Sequence, residues 1–136
     1  MSEAPARPVP QVDDDSRAFW TGGATGALLI TSCAQCMRLF HPPGPICPHC
    51  SVRDVQAVAV SGRGEVDACT VVQRPWIPGY DTPYVVARVR LTEQHDVVLV
   101  SNIVECDPHD VRAGMPVEVV FEPRGDVFVP MFRPAR

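Results

Sequence analysis

Four cysteines in two pairs constrain this chain more than anything else in it. Cys33-Ala34-Gln35-Cys36 and Cys47-Pro48-His49-Cys50 are two C-x-x-C knuckles with ten residues between them. Each knuckle presents two sulfurs on one side of a tight loop. Two such loops converge four soft ligands on one ion at about 2.3 Å. The connector, residues 37–46, reads as a short strand followed by a Pro/Gly turn. This spacing predicts a zinc ribbon with Cys33, Cys36, Cys47 and Cys50 as ligands. Disulfides fit poorly, because paired C-x-x-C spacing in an intracellular chain favours metal. A thioredoxin-like redox site would use one C-x-x-C in a βαβ setting, and an iron–sulfur cluster is a chemical alternative for four thiolates. Four cysteines close the shell, so the zinc is expected to be structural and not catalytic. His41 and His49 then find no vacancy and read as surface residues or hydrogen-bonding neighbours of the ligands.

The remaining composition sets broad limits. A chain of 136 residues makes one domain or two very small ones. With 46% hydrophobic and 21% charged residues, wholesale disorder is excluded. No apolar run approaches the roughly 20 residues that span a bilayer. Residues 1–12 are polar and proline-rich without an apolar signal core, so the expected location is cytoplasmic and no membrane contact is expected. All 12 basic residues are arginines, set against 16 acids. That balance argues against a general nucleic-acid binder, though it leaves room for a local Arg pocket.

Along the chain, residues 1–12 read as a disordered arm and residues 13–27 as an N-terminal helical segment. Asp13, Asp14, Asp15 and Ser16 suit a helix start. The helix carries Phe19 and Trp20, and Gly22, Gly23 and Gly26 keep it short. Residues 28–54 form the ribbon, and residues 55–136 carry the alternation of successive short strands. The clearest is residues 84–92, with Val85, Ala87, Val89 and Leu91 on one face and Arg88 and Arg90 on the other. The fold class is therefore mainly β: a short helix, a zinc ribbon, then a small closed β-barrel. Cys69 and Cys106 stand alone and read as small buried residues. Asp107-Pro108-His109-Asp110 reads as a cap on a short helical turn.

The pattern resembles the bacterial and archaeal family in which a rubredoxin-like zinc ribbon is followed by an OB-fold, a family associated with acyl-CoA metabolism. The resemblance is carried by Phe19-Trp20, the two knuckles with Phe40-x-Pro42-Pro43 between them, and residues 60–66. It continues through Thr70-Val71-Val72, residues 83–87, Asn102-Ile103-Val104, residues 114–119 and Phe132-Arg133-Pro134. The chain departs from it at residues 21–27, where a glycine-rich stretch replaces a charged helical one. The resemblance implies a small partner subunit of a thiolase-like enzyme that makes or breaks C–C bonds in acyl-CoA thioesters. Settings include aldolases and hydratases of steroid side-chain breakdown and acyltransferases. It implies a role in assembly or stability and possible CoA contact.

The residues themselves agree with an accessory role. There is no nucleophile–base pair at motif spacing and no glycine-rich phosphate loop after a strand, so no catalytic residue is assigned. Phe19, Trp20, Trp76 and Tyr80 are the expected partner contacts, the last two on the proline-stiffened loop of residues 75–80. A stand-alone acyl-CoA-binding protein is the alternative. A single-stranded nucleic-acid binder using Arg74, Arg88 and Arg90 beside Trp76 and Tyr80 is the further one.

Overall fold

The computed structural model describes residues 7–76 and 80–136. Half of the expected arm, residues 1–6, and Ile77, Pro78 and Gly79 of the expected contact loop lie outside the described residues.

The first helix, α1 (Arg17–Thr21), is short, and a single turn of 3₁₀-helix, Gly22–Thr25, follows it. The acidic stretch ahead of α1 does not cap it in the expected way. The Asp13 carboxylate accepts from the Ser16 N–H at 2.8 Å, and the Ser16 hydroxyl accepts from the Asp13 N–H at 3.1 Å. This reciprocal pair closes the turn before the helix, and the Ser16 side chain gives the helix itself no bond. It also holds the Asp13 carboxyl below the usual carboxylate range.

The glycine-rich departure from the family has a packing reason. A Cβ on Gly23 would lie 2.5 Å from Phe121 Cδ1 and 2.5 Å from Phe128 Cβ. Only a glycine lets this turn lie flat on the barrel strands that carry those rings. Gly23→Ala is therefore expected to destabilise the protein by about 1–3 kcal/mol, the usual cost of overpacking. Chemical denaturation of the metal-loaded protein measures this, and an unchanged midpoint would show that the turn is not pinned here.

Three strands make the ribbon sheet: β1 (Leu28–Cys33), β2 (Leu39–Phe40) and β3 (Val55–Val60), in the order β2-β1-β3. The sequence-based division put residues 55–60 at the start of the barrel. In the structure they pair antiparallel with β1 along its full length, from Leu28↔Val60 to Cys33↔Val55. The reason lies in β1, whose two edges both need partners. β2 pairs only Thr31 and Ser32 on one edge, and β3 covers the other.

Five strands close the barrel: β4 (Arg63–Val72), β5 (Tyr84–Leu91), β6 (Val98–Ile103), β7 (Pro116–Arg124) and β8 (Val127–Pro134). Their order is β4-β5-β6-β8-β7, with β7 pairing back onto β4. Closure removes the sheet edges that would otherwise invite aggregation. The alternation in β5 sorts as its pattern demands, with Val85, Ala87, Val89 and Leu91 all buried. A register shift between Val66 and Ala68 bulges β4. Gly62 turns the chain into β4 at φ 79°, against Val119.

The core crosses the expected division. Phe19, Leu28 and Ile30 belong to the same buried cluster as the barrel residues Val66, Leu99, Val117 and Phe132. The turn after β5 ties the ribbon down further. Gln94 pairs with β2 as another strand would: its Oε1 accepts from the Leu39 N–H at 2.9 Å, and its Nε2 donates to the Leu39 carbonyl at 2.7 Å. Arg38 adds an ion pair to Asp96 at 2.7 Å. Among the described residues, no helix is long and apolar enough to cross a membrane.

Candidate functional site

The two knuckles fold identically. In each, the residue after the second cysteine donates its N–H back to the first cysteine's carbonyl: Met37 to Cys33 and Ser51 to Cys47, both at 2.9 Å. The first cysteine's own N–H then reaches the next residue's carbonyl: Cys33 to Arg38 at 3.0 Å and Cys47 to Val52 at 2.9 Å. Met37 and Ser51 both adopt φ 65°, the left-handed step that each tight loop requires.

This geometry brings all four Sγ atoms of Cys33, Cys36, Cys47 and Cys50 within 4.8 Å of one another. The Cys33–Cys50 sulfurs are 3.5 Å apart and the Cys36–Cys47 sulfurs 3.7 Å. Four sulfurs placed tetrahedrally at about 2.3 Å from zinc stand about 3.8 Å apart, so the cluster has the dimensions of that ion. Backbone N–H groups point at the sulfurs, from Gln35 and Cys36 to Cys33 at 3.4 Å and from His49 to Cys47 at 3.3 Å. The Cys36 N–H draws the Cys33 thiol down to about 7. Hydrogen bonding to Cys33 pushes the Cys50 thiol up to about 12. Four thiolates cannot share this space without a cation. His49 sits beside the ligands as expected, its Nε2 3.4 Å from the Leu39 carbonyl.

His41 belongs elsewhere. It lines a cleft of about 410 Å³ formed by α1, the Pro42-Pro43 segment and the outer side of β6. Its ring lies 4.8 Å from Phe19, centroid to centroid. Burial alone pushes its pKa down to about 4, so the ring is neutral, and its Nδ1 is buried without a hydrogen-bond partner. Sequence reasoning missed this residue as a cleft wall. The Phe40-His41-Pro42-Pro43 run was its only signal.

Trp20 and Tyr80 also line the cleft. Phe19 is largely buried in the core, edge-on to Trp20 at 4.8 Å, and joins it in lining the cleft. Trp76 is 83% exposed. The described end of the arm runs beside the cleft. Arg7 stands over the Tyr80 ring at 4.9 Å and bridges to Glu122 at 3.0 Å. Arg124 joins Glu122 at 2.8 Å and donates to the Pro8 carbonyl at 3.1 Å.

Three other sequence expectations resolve here. Arg88 and Arg90 are both drawn to one carboxylate, Asp67, at 3.7 and 2.7 Å. Asp107 accepts from the His109 N–H at 2.9 Å with Pro108 at the helix start, which is the capping role expected of it. Cys106 is half-buried, and burial, with Asp110 and Asp107 beside it, pushes its thiol up, which suits packing and not attack. Cys69, expected to be buried, is exposed, because its part of β4 has no cover.

Two family models match the chain. Residues 20–56 match the ChsH2 rubredoxin-like zinc ribbon domain, and residues 57–122 match the ChsH2 C-terminal OB-fold domain. A DUF35 domain-containing scaffold protein of Methanothermobacter thermautotrophicus is 38% identical over 93 residues, covering 67% of this chain and 68% of that protein.

The chain belongs to the ChsH2 (DUF35) family.

Other members of the family are closely similar. A "probable enoyl-CoA hydratase alpha subunit" of Thermomonospora curvata is 42% identical over 131 residues. The match covers 95% of this chain, which spans 40% of that relative's length. Among solved structures, a chain of the Ltp2-ChsH2(DUF35) aldolase superposes with a TM-score of 0.81 at 41% identity. That match covers 94% of this chain and all (100%) of the other. The four cysteines and the closed barrel of this chain are thus those of a DUF35 protein, and the metal site is the one its ribbon domain is named for.

Proposed function

We propose that this chain is a non-catalytic accessory subunit. It assembles with and stabilises a thiolase-fold enzyme acting on acyl-CoA thioesters, by C–C bond cleavage or formation or by acyl transfer. The observation that carries the reading is the match along 94% of the chain to the ChsH2(DUF35) component of an aldolase. The residues agree with it. The metal shell is filled by four thiolates, so it offers a substrate no open position. The zinc is structural on this reading, one per chain, and staples the two knuckles of the ribbon together. The proposal includes a cytoplasmic location, where thiols stay reduced.

Co-expression with the thiolase-fold subunit from the same genome tests this. A stable hetero-oligomer is expected, with the larger subunit losing activity or solubility when expressed alone. If the two purify apart and the larger one is fully active by itself, the proposal fails.

The cleft beside His41 favours one second reading, a stand-alone acyl-CoA binder. Trp20, Tyr80 and the prolines Pro42, Pro43 and Pro130 give its walls an apolar part that suits an acyl group. Its one lining guanidinium among the described residues, Arg124, is already held by Glu122 and Pro8, which leaves the CoA phosphates poorly served. Calorimetry with CoA thioesters on the isolated chain separates the readings. Tight binding without a partner supports the second.

A further inference from the structure

The outward wall of the barrel breaks the rule that its inward face keeps. Cross-strand register sets Ala68, Arg88 and Val100 side by side on β4, β5 and β6, with Thr70, Val86 and Asn102 in the next row. Strand alternation points these away from the buried Val85, Ala87 and Leu99. An antiparallel sheet facing water normally presents polar residues there. Here Val100 is 70% exposed, Ala68 and Thr70 are exposed, and Val86 is half-buried.

The apolar surface extends beyond these rows. Val100 lies on the rim of the His41 cleft as well as on the wall. At the other end, Thr70 shares a shallow depression with Trp76. Apolar surface at Val100, Val86 and Ala68 therefore leads from the cleft, around Arg88, across three strands toward an exposed tryptophan. Aromatic anchors surrounded by flat apolar area mark protein interfaces.

We infer that this wall of β4, β5 and β6 is the surface that seats the enzyme subunit. The inference rests on the accessory-subunit reading and locates its interface. The charge on the wall says what the partner brings. Asp67 is shared between two guanidiniums: Oδ1 holds Arg90 at 2.7 Å, while Oδ2 reaches Arg88 only at 3.7 Å. Arg88, 57% exposed, is thus a cation with half a partner, set between Ala68 and Val100. The fitting surface is an apolar ridge with a carboxylate opposite Arg88. A second copy of this chain fits less well. An isologous pairing would put the same under-compensated cation on both sides of one interface.

The test uses the full-length protein co-expressed with the thiolase-fold subunit from its own genome. Val100→Arg and Arg88→Gln change outward positions, so both variants should keep their metal and melting temperature. Val100→Arg is expected to weaken association by about ten-fold or more, the scale of a central contact. Arg88→Gln should weaken it less and flatten its dependence on salt. If the wild type assembles and both variants assemble equally well, the wall is not the seat. If the isolated protein is a dimer that Val100→Arg dissolves, the occupant is a second copy and the inference is overturned. If the wild type forms no hetero-oligomer at all, the accessory-subunit reading falls first and takes this one with it.

Discussion

Replacing Cys33 or Cys47 with serine should strip the bound metal and unfold the ribbon. Both side chains are fully buried, each contributing one ligand from a different knuckle. The ribbon's own core is tiny. It consists of Cys33, Phe40 and Cys47, with Cys36, Val52 and Val55 packed against them. A core of that size cannot order two knuckles without a staple. In zinc-finger peptides the metal contributes about 10 kcal/mol or more of folding free energy. Here β1 is also anchored through Leu28 and Ile30 in the barrel core, so the loss should be smaller, about 5 kcal/mol. That still approaches the whole stability of an ordinary domain. Elemental analysis should give about one zinc per wild-type chain and none in either variant. Circular dichroism and chemical denaturation should show a destabilised chain with part of its β signal lost. Cys69→Ser is the control: the residue is exposed and outside the cluster, so its effect should stay within about 0.5 kcal/mol. A variant that still binds one metal per chain, or a wild type that carries iron, would sink the assignment.

The same contrast explains what could be read from the sequence. Ligand spacing is a local property, and so is strand alternation. Both knuckles and the inward face of β5 were therefore legible from neighbours a few residues apart. What was not legible depends on partners far along the chain. The alternation of residues 55–60 says strand, but not that its partner is β1. Nothing near Gln94 shows that its amide will pair with Leu39, 55 residues away. Arg88 and Arg90 alternate as a solvated face would, and only the fold reveals that Asp67 is shared between them. Cys69 illustrates the reverse error. Its residue type favours burial and register sets it beside the buried Ala87, yet it is exposed with its neighbours Ala68 and Thr70 in β4. Gly22 and Gly23 read as weak points in a helix. In the structure Gly23 is what allows close contact between the turn and the barrel.

His41 offers the second large effect, as a dependence of stability on pH. Its neutral ring is packed against Phe19, and burial holds its pKa at about 4, below the 6.5 of a free imidazole. In the unfolded chain the same ring takes up a proton near 6.5. Between those values the unfolded state binds more protons, so acid favours unfolding. The contribution is fully present above about pH 6.5. It falls away as the pH drops toward 4, and it changes no further below that. The shift corresponds to about 3 kcal/mol between the two limits. The metal site also loosens in acid, because thiolates compete with protons for the ion. The decisive quantity is therefore the difference between the wild type and His41→Phe, both metal-loaded, measured by denaturation at several pH values. Phenylalanine keeps an apolar ring against Phe19 and removes the buried Nδ1 that has no partner. The variant should match or exceed the wild type near neutrality. Its advantage should then widen as the pH falls from 6.5 toward 4. Parallel curves through that window would mean that the ring is open to water and not buried against Phe19.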